Sequence, residues 1–333
     1  MSFGVAGMGV ALGDPVPVAA AADEYLTDQR QLSRWGYGTF HRAGPSVGIT
    51  DLAVEAGRRA LDAAGVTAAE VDVVVLAISD VAEHLYWDPA AACQHRIGAS
   101  RAEAILVNQA CGGAVTAFDT VAGRFATHPD HEVALIIGAN RVCETYVNRM
   151  AVNTCVNGDG AAAVVVRRSS PGLRWLVTET VTDGTYADYF RLEGGTAQPF
   201  GGGEPPRIRD PFTRLAEFFD NDVRAMVEFG RMTVDRLREV VERACKRAEV
   251  SAVARVVHLN DNVIALGDLA KALDLPLSAV NADVAAAHGH LGCADQILGL
   301  SWLVERDLVA PGEVVALTST GSGMHWTCTL IEV

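Results

Sequence analysis

Lysine and arginine are scarce in this chain. Its 333 residues carry 27 of them against 41 aspartates and glutamates, a net charge of −14. Nucleic-acid phosphates are bound by clustered cations, so this balance argues against a nucleic-acid partner and leaves a small-molecule substrate open. Paired cysteines are also lacking. The seven cysteines stand at 93, 111, 143, 155, 245, 293 and 328, and none forms a Cys-x-x-Cys pair. An odd number without regular spacing shows neither a disulfide framework nor a zinc cluster, and is read as the reduced thiols of a cytoplasmic protein with no metal. No apolar run approaches the ~20 residues of a membrane helix. The opening MSFGVAGMGVALGD has no basic segment, so no signal peptide is expected.

Hydrophobic residues make up 50% of the chain, enough for a large core. At ~150 residues per domain, the length suggests two core-forming units. The run Val71-Asp-Val-Val-Val-Leu-Ala-Ile78 reads as a strand buried on both faces, as in a parallel sheet. Ahead of it, Thr50 is expected to cap a helix over 51–64 with Leu52, Ala56 and Ala60 on one stripe. Strand and helix signals alternate in this way throughout, the pattern of an α/β fold.

The chain also repeats its own order of elements. In the first half a helix precedes VDVVVLAISD, then come AILVNQA, a helix opening at Cys111-Gly-Gly, HEVALIIGAN and the Gly-rich NGDGAAAVVVRR. In the second half a helix over 231–248, with Val234, Leu237, Val241 and Ala244 on one face, leads into VARVVHLND. LSAVNAD, a helix after His288-Gly-His290, and GEVVALTSTGSGMHWTCTLIEV follow. Two similar halves, 1–167 and 168–333, are inferred. The Gly/Pro-rich stretch 191–213 fits neither, and reads as a lid, a binding loop or a surface insertion.

Cys111 is the strongest chemical signal. It follows the apolar AILVNQA and precedes Gly-Gly and a helical stretch. A thiol at a helix N-terminus meets unpaired N–H groups and the positive end of the helix dipole, both of which favour a thiolate. His258 ends the strand ARVVH, where parallel sheets place active residues. His290 lies in HGHLGCADQ at the turn into a helix, with Asp295 five residues later. That spacing brings a carboxylate to an imidazole in the preceding loop, giving a base with its orienting acid. Asn157-Gly-Asp159-Gly lacks the lysine of a phosphate loop and reads as a tight turn. Thr320-Gly-Ser322-Gly can bring backbone N–H groups beside Cys111 as an oxyanion hole.

Over most of its length the chain resembles the ketoacyl-acyl-carrier-protein synthase III (KAS III) family of the thiolase fold. The likeness rests on QACGGAVTAF, NGDGAAAVVV, VVHLNDNVI, AHGHLGCAD and STGSGMHWTCTLIEV, in that order. It implies a duplicated five-layered αβαβα subunit and a homodimer. It places the family's nucleophile at Cys111 and its first histidine at His258, where Leu259-Asn260-Asp261 replaces the usual Gln-Ala-Asn. His290 stands where the family usually has Asn. Gly321-Ser322-Gly323 takes the place of its triple-glycine loop, and Arg34 aligns with an Arg near its pantetheine tunnel. His290 and Asp295 match a branch of acyltransferases in natural-product pathways, in which Cys, His and Asp form a triad. The resemblance thus implies transfer of an acyl group from a coenzyme A or acyl-carrier-protein thioester, as co-substrate, to a small-molecule hydroxyl or amine acceptor. No permanently bound cofactor is implied. The alternatives are a Claisen-type condensation that forms a β-ketoacyl product and, from another class, a non-catalytic partner subunit.

Overall fold

The computed structural model describes residues 3–192 and 207–333. Residues 193–206, most of the 191–213 insertion, lie outside the described residues. Strand β1 (Phe3–Leu12) is followed by a small antiparallel pair, β2 (Asp14–Pro17) and β3 (Thr39–Arg42), and then by β4 (Val73–Ile78), β5 (Glu103–Val107), β6 (Val133–Asn140) and β7 (Gly160–Arg168). The second half contributes β8 (Arg174–Thr182), β9 (Arg255–Val257), β10 (Val314–Gly321) and β11 (His325–Glu332). Between them run α1 (Val18–Tyr25), α2 (Leu32–Trp35), α3 (Ile49–Ala64), α4 (Pro89–Ile97) and α5 (Gly113–Thr127). Then come α6 (Pro211–Phe218), α7 (Val223–Ala248), α8 (Val263–Ala272), α9 (Ala282–His288) and α10 (Asp295–Glu305).

The strands form two wings joined edge to edge by the single pair Gly4–Arg174. The first runs β1-β7-β6-β4-β5 and the second β8-β11-β10-β9. In each wing one antiparallel strand, β7 or β11, is followed by a parallel pair, β6 with β4 or β10 with β9. The counterpart of β5 is missing from the second wing. There LSAVNAD forms a 3-10 turn over Leu277–Ala279, and only Val280 bridges to Val256. Pro276 starts that turn with no N–H to give a ladder, so too few residues remain for a strand.

Every residue of β4 and β6 is buried, as their unbroken apolar sequences require. One face of the first wing packs on α3 and α4, with Val74, Leu76, Leu135 and Ile137 inward. Its other face meets α5 and α10, and these two helices also cover Val257, Val315 and Leu317 of the second wing. The far side of the second wing is covered by α7 and α8 over Val256, Ala316 and Trp326. Helix, sheet, helix, sheet and helix thus stack in five layers, the α/β thiolase-like architecture. Among the described residues no helix is long and apolar enough to cross a membrane.

Two local expectations need correction. Helix α3 begins after Gly48, whose N–H donates to Asp51 at 2.7 Å. Thr50 lies inside the first turn, where both its N–H and its hydroxyl donate to Glu83 Oε1. The Asn157-Gly-Asp159-Gly stretch is a buried hub. Asp159 is fully buried, receives Arg149 through two 2.9 Å hydrogen bonds, and accepts the N–H groups of Ala43 and Val142 at 2.8 Å. Burial makes this polarity compulsory, because either charge left alone would have no water to replace its partner. Asp159→Ala is therefore expected to cost about 3–5 kcal/mol of folding stability. Urea unfolding checks this, and a loss below about 1 kcal/mol would show the pair to be dispensable.

Candidate active site

Cys111 sits in a 3-10 turn, Ala110–Gly112, that runs directly into α5. Ala110 holds φ at +45°, in the left-handed region that costs a non-glycine residue energy. The strain falls at the sharp passage from β5 into the helix, next to the thiol. Gly113 makes the passage possible, because a Cβ there would press on Ala77 of β4. The half-buried Cys111 faces a cavity of about 560 Å³.

His290 comes from the other half of the chain, on the turn between α9 and α10. Its Nε2 lies 3.5 Å from Cys111 Sγ, and its Nδ1 lies 2.6 Å from Asp295 Oδ2. The i, i+5 spacing read from the sequence thus closes across the start of α10. Asp295 is fully buried and accepts two further hydrogen bonds, from Asn260 N–H at 2.8 Å and Leu291 N–H at 2.7 Å. The His290 backbone is clamped as well. Its N–H donates to Val156 O, and its carbonyl accepts from Gly158 N–H, each at 2.8 Å. The glycine-rich hub therefore holds this histidine in place. Gly138 of β6 lets the same turn dock, since a Cβ there would overlap the Cys293 carbonyl oxygen.

Burial works against a charged His290. The Asp295 carboxylate outweighs it, aided by the Cys155 and Cys111 sulfurs, and holds the imidazole well above its usual range. His258 is the opposite case. It is buried at the end of β9, its N–H donates to Asn281 Oδ1, and its Nδ1 shares a 2.9 Å hydrogen bond with Thr318 Oγ1. Burial pushes it down to about 3, so it is neutral at physiological pH. Both imidazoles line the Cys111 cavity. Cys155 lines it too, but burial pushes its thiol up to about 12, as it does for Cys93 and Cys293.

Gly321 and Ser322 line the cavity on the same side as the turn that carries Cys111. A Cβ on Gly321 would collide with Gln109 O, so this loop lies directly against the residues that precede Cys111. Gly323, with φ at +126°, lies just beyond, beside His325. Arg34 stands apart: it is exposed on the short helix α2 and is not among the cavity's lining residues. Sequence reasoning missed Asn260, Asn281 and Thr318. Asn260 donates through its backbone to Asp295 and through its side chain to Gly289 O, and is itself held by Asn281. Their signal was only their place beside His258 and the turn that carries His290. Tyr189, Phe190, Ile208 and Pro211, at the described ends of the insertion, also line the cavity. At the far end of α5, His128, Asp130 and His131 bring possible metal-ligand atoms within 4.8 Å of one another, away from this site.

Comparison with known proteins places the chain in a family. Residues 107–184 match the family model of 3-oxoacyl-[acyl-carrier-protein] synthase III, and 245–333 match the model of its C-terminal part. The β-ketoacyl-[acyl-carrier-protein] synthase III of Bordetella petrii is 31% identical over 310 residues, covering 92% of this chain and 88% of that protein. The acetoacetyl CoA synthase NphT7 of Streptomyces sp. strain CL190 is 28% identical over 320 residues, covering 94% and 91%. Among solved structures, the acyltransferase ChlB3 superposes with a TM-score of 0.88 at 22% identity, over 100% of this chain and 98% of that one, a likeness of fold. Two matched family models and a relative above 30% identity over most of both chains have one reading: this chain belongs to the 3-oxoacyl-[acyl-carrier-protein] synthase III family.

Proposed function

We propose that this chain is an acyltransferase that moves an acyl group from a coenzyme A or acyl-carrier-protein thioester to a hydroxyl or amine of a small acceptor, without a resident cofactor. The observation that carries the reading is the continuous relay Cys111 Sγ to His290 to buried Asp295. Cys111 attacks the thioester carbonyl, and the donor leaves as a thiol. Backbone N–H groups at Cys111 and near Ser322 are the proposed hole for the oxyanion. His290 then takes the proton of the acceptor, whose oxygen or nitrogen attacks the acyl carbon while the bond to sulfur breaks. Asp295 holds the imidazole in the tautomer that leaves Nε2 free to accept. A neutral His258 in the same cavity polarises a carbonyl or positions the acceptor.

The second reading, Claisen condensation, is favoured by one observation. His258 and His290 bound a single cavity, as a pair holding a malonyl thioester carbonyl would. The two readings ask different things of Asp295. In acyl transfer it orients the base; in condensation it is a helix N-terminal acid with no part in the chemistry.

Three outcomes test this. Incubation with short acyl-CoAs is expected to add one acyl mass to Cys111, read by intact mass and peptide mapping, and to leave Cys111→Ala unmodified. An adduct confined to another cysteine would sink the mechanism. Asp295→Asn is expected to slow acyl transfer by ~10²–10⁴-fold, by analogy with hydrolase triads, with no carbon dioxide released from malonyl thioester. Full activity of that variant together with carbon dioxide release would establish condensation instead. The third outcome is the pH profile of deacylation. The base must be neutral, and Asp295 raises its pKa, so the rate falls as pH drops through a value above the ordinary imidazole range. In Asp295→Asn only burial and the thiols remain to act on His290, so the acid limb moves to lower pH. An unmoved limb would show that another group sets the profile.

A further inference from the structure

The proposed transfer leaves the acceptor unspecified, and the cavity wall narrows it. Three carboxylates line the cavity, Asp80, Asp261 and Asp268, and no lysine or arginine lines it among the described residues. The undescribed stretch 193–206 contains no lysine or arginine either. Arg214 packs behind the wall, over the Phe190 ring and bonded to Asn153 Oδ1. Two of the three carboxylates are already engaged. Asp80 accepts Val81 N–H with Oδ1 and Cys143 N–H with Oδ2. Asp268 pairs with the exposed Lys271.

Asp261 differs. It sits three residues after His258, and its Oδ1 accepts the backbone N–H and the side-chain Nδ2 of Asn262 at 2.7 and 2.9 Å. Asn262 in turn caps α8, so the carboxylate is carried by a rigid element. Its other oxygen, Oδ2, has no hydrogen-bond partner among the described residues, and Asp261 lines the cavity. A carboxylate so placed attracts a cation and repels an anion. Burial pushes the Asp261 carboxyl up in spite of the Asn262 hydrogen bonds and nearby His290, so a cation brought against it would favour its ionised form.

We infer that the acceptor is an amino alcohol, whose ammonium group is held by Asp261 while a hydroxyl of the same molecule meets His290. The inference rests on the acyltransferase reading above. An ammonium held by a carboxylate keeps its proton and has no lone pair to attack with, so the acylated atom is oxygen. The hydroxyl proton passes to His290, the new C–O bond forms as the C–S bond to Cys111 breaks, and the sulfur recovers its proton from the imidazolium. The nitrogen stays cationic throughout. An acceptor with a carboxylate at the same place is repelled.

The test loads Cys111 from acetyl-CoA, removes the excess donor, and follows discharge by intact mass with glucosamine, glucose and glucuronate, which share one frame and differ in charge. Glucosamine is expected to discharge the enzyme at least ~10-fold faster than glucose, the effect of about 1.4 kcal/mol, with glucuronate slowest and the product an O-ester. In Asp261→Asn the ratio of glucosamine to glucose is expected to fall toward one, chiefly through a higher KM for glucosamine. Calorimetry on the Cys111→Ala enzyme, with Asp261 intact, is expected to show glucosamine binding more tightly than glucose, a measurement independent of how the Asp261 variant folds. Equal discharge by glucosamine and glucose, preference for glucuronate, an N-acyl product, or a ratio that survives Asp261→Asn would overturn the inference. Failure of Cys111 to load, or loading with no discharge by any of the three, would overturn the acyl-transfer reading and this inference with it. Loading followed by discharge indifferent to charge would overturn this inference alone.

Discussion

Asp295 is the constraint on which the site depends. It is a carboxylate with no exposure to water, at the first position of α10, and three groups converge on it: the His290 ring and the N–H groups of Asn260 and Leu291. A buried charge is tolerable only when its lone pairs are filled in this way. The requirement runs outward. Asn260 must present its N–H, so its side chain is fixed by Gly289 and Asn281, and Asn281 in turn bonds the backbone of His258. One buried carboxylate thus ties both histidines and two loops into a single polar network.

The network can be built because two wings of similar plan, joined at one sheet edge, share a layer of helices. Helices α5 and α10 lie between the wings, and each begins at the cavity. The first begins just after Cys111, and the second begins at Asp295, which holds the His290 ring. Neither half holds a complete relay, since Cys111 and His290 are 179 residues apart in sequence. The halves are joined near the site by further contacts of the same kind. The Val156–Gly158 segment clamps the His290 backbone, and the Arg149–Asp159 pair anchors that segment to the chain around Ala43 and Val142.

Electrostatics then divides the two imidazoles. The same burial acts on both, but only His290 has a carboxylate against it. His258 meets the hydroxyl of Thr318 and stays neutral, while His290 is held as a stronger base. A similar contrast separates the cysteines. Cys155 shares the cavity with Cys111, yet it is buried and its thiol is pushed up to about 12. Position on a half-open helix start, rather than residue type, sets Cys111 apart from the other cavity cysteine.

Much of this was legible in the residues themselves. Unbroken apolar runs such as Val73–Ile78 can only be strands covered on both faces, so the α/β class followed from local pattern. The repeated order of elements announced the duplication, and the His290–Asp295 spacing was short enough for geometry to follow from one helix start. Other features depended on contacts between distant segments. Thr50 could have capped α3, but Glu83 arrives from another loop and takes its hydroxyl. Asp159 read as part of a turn because its partner Arg149 and the N–H groups of Ala43 and Val142 converge on it only after folding. Asn260 looked like a departure from a motif, and its use as a prop for Asp295 appears only when residues 260 and 295 meet. Local periodicity and short spacings are properties of the chain, and they determined the elements and half of the relay. Burial, and the hydrogen bonds that burial makes compulsory, are properties of the packed molecule, and these alone decided which polar residues meet at the Cys111 cavity and which are tied up as scaffolding.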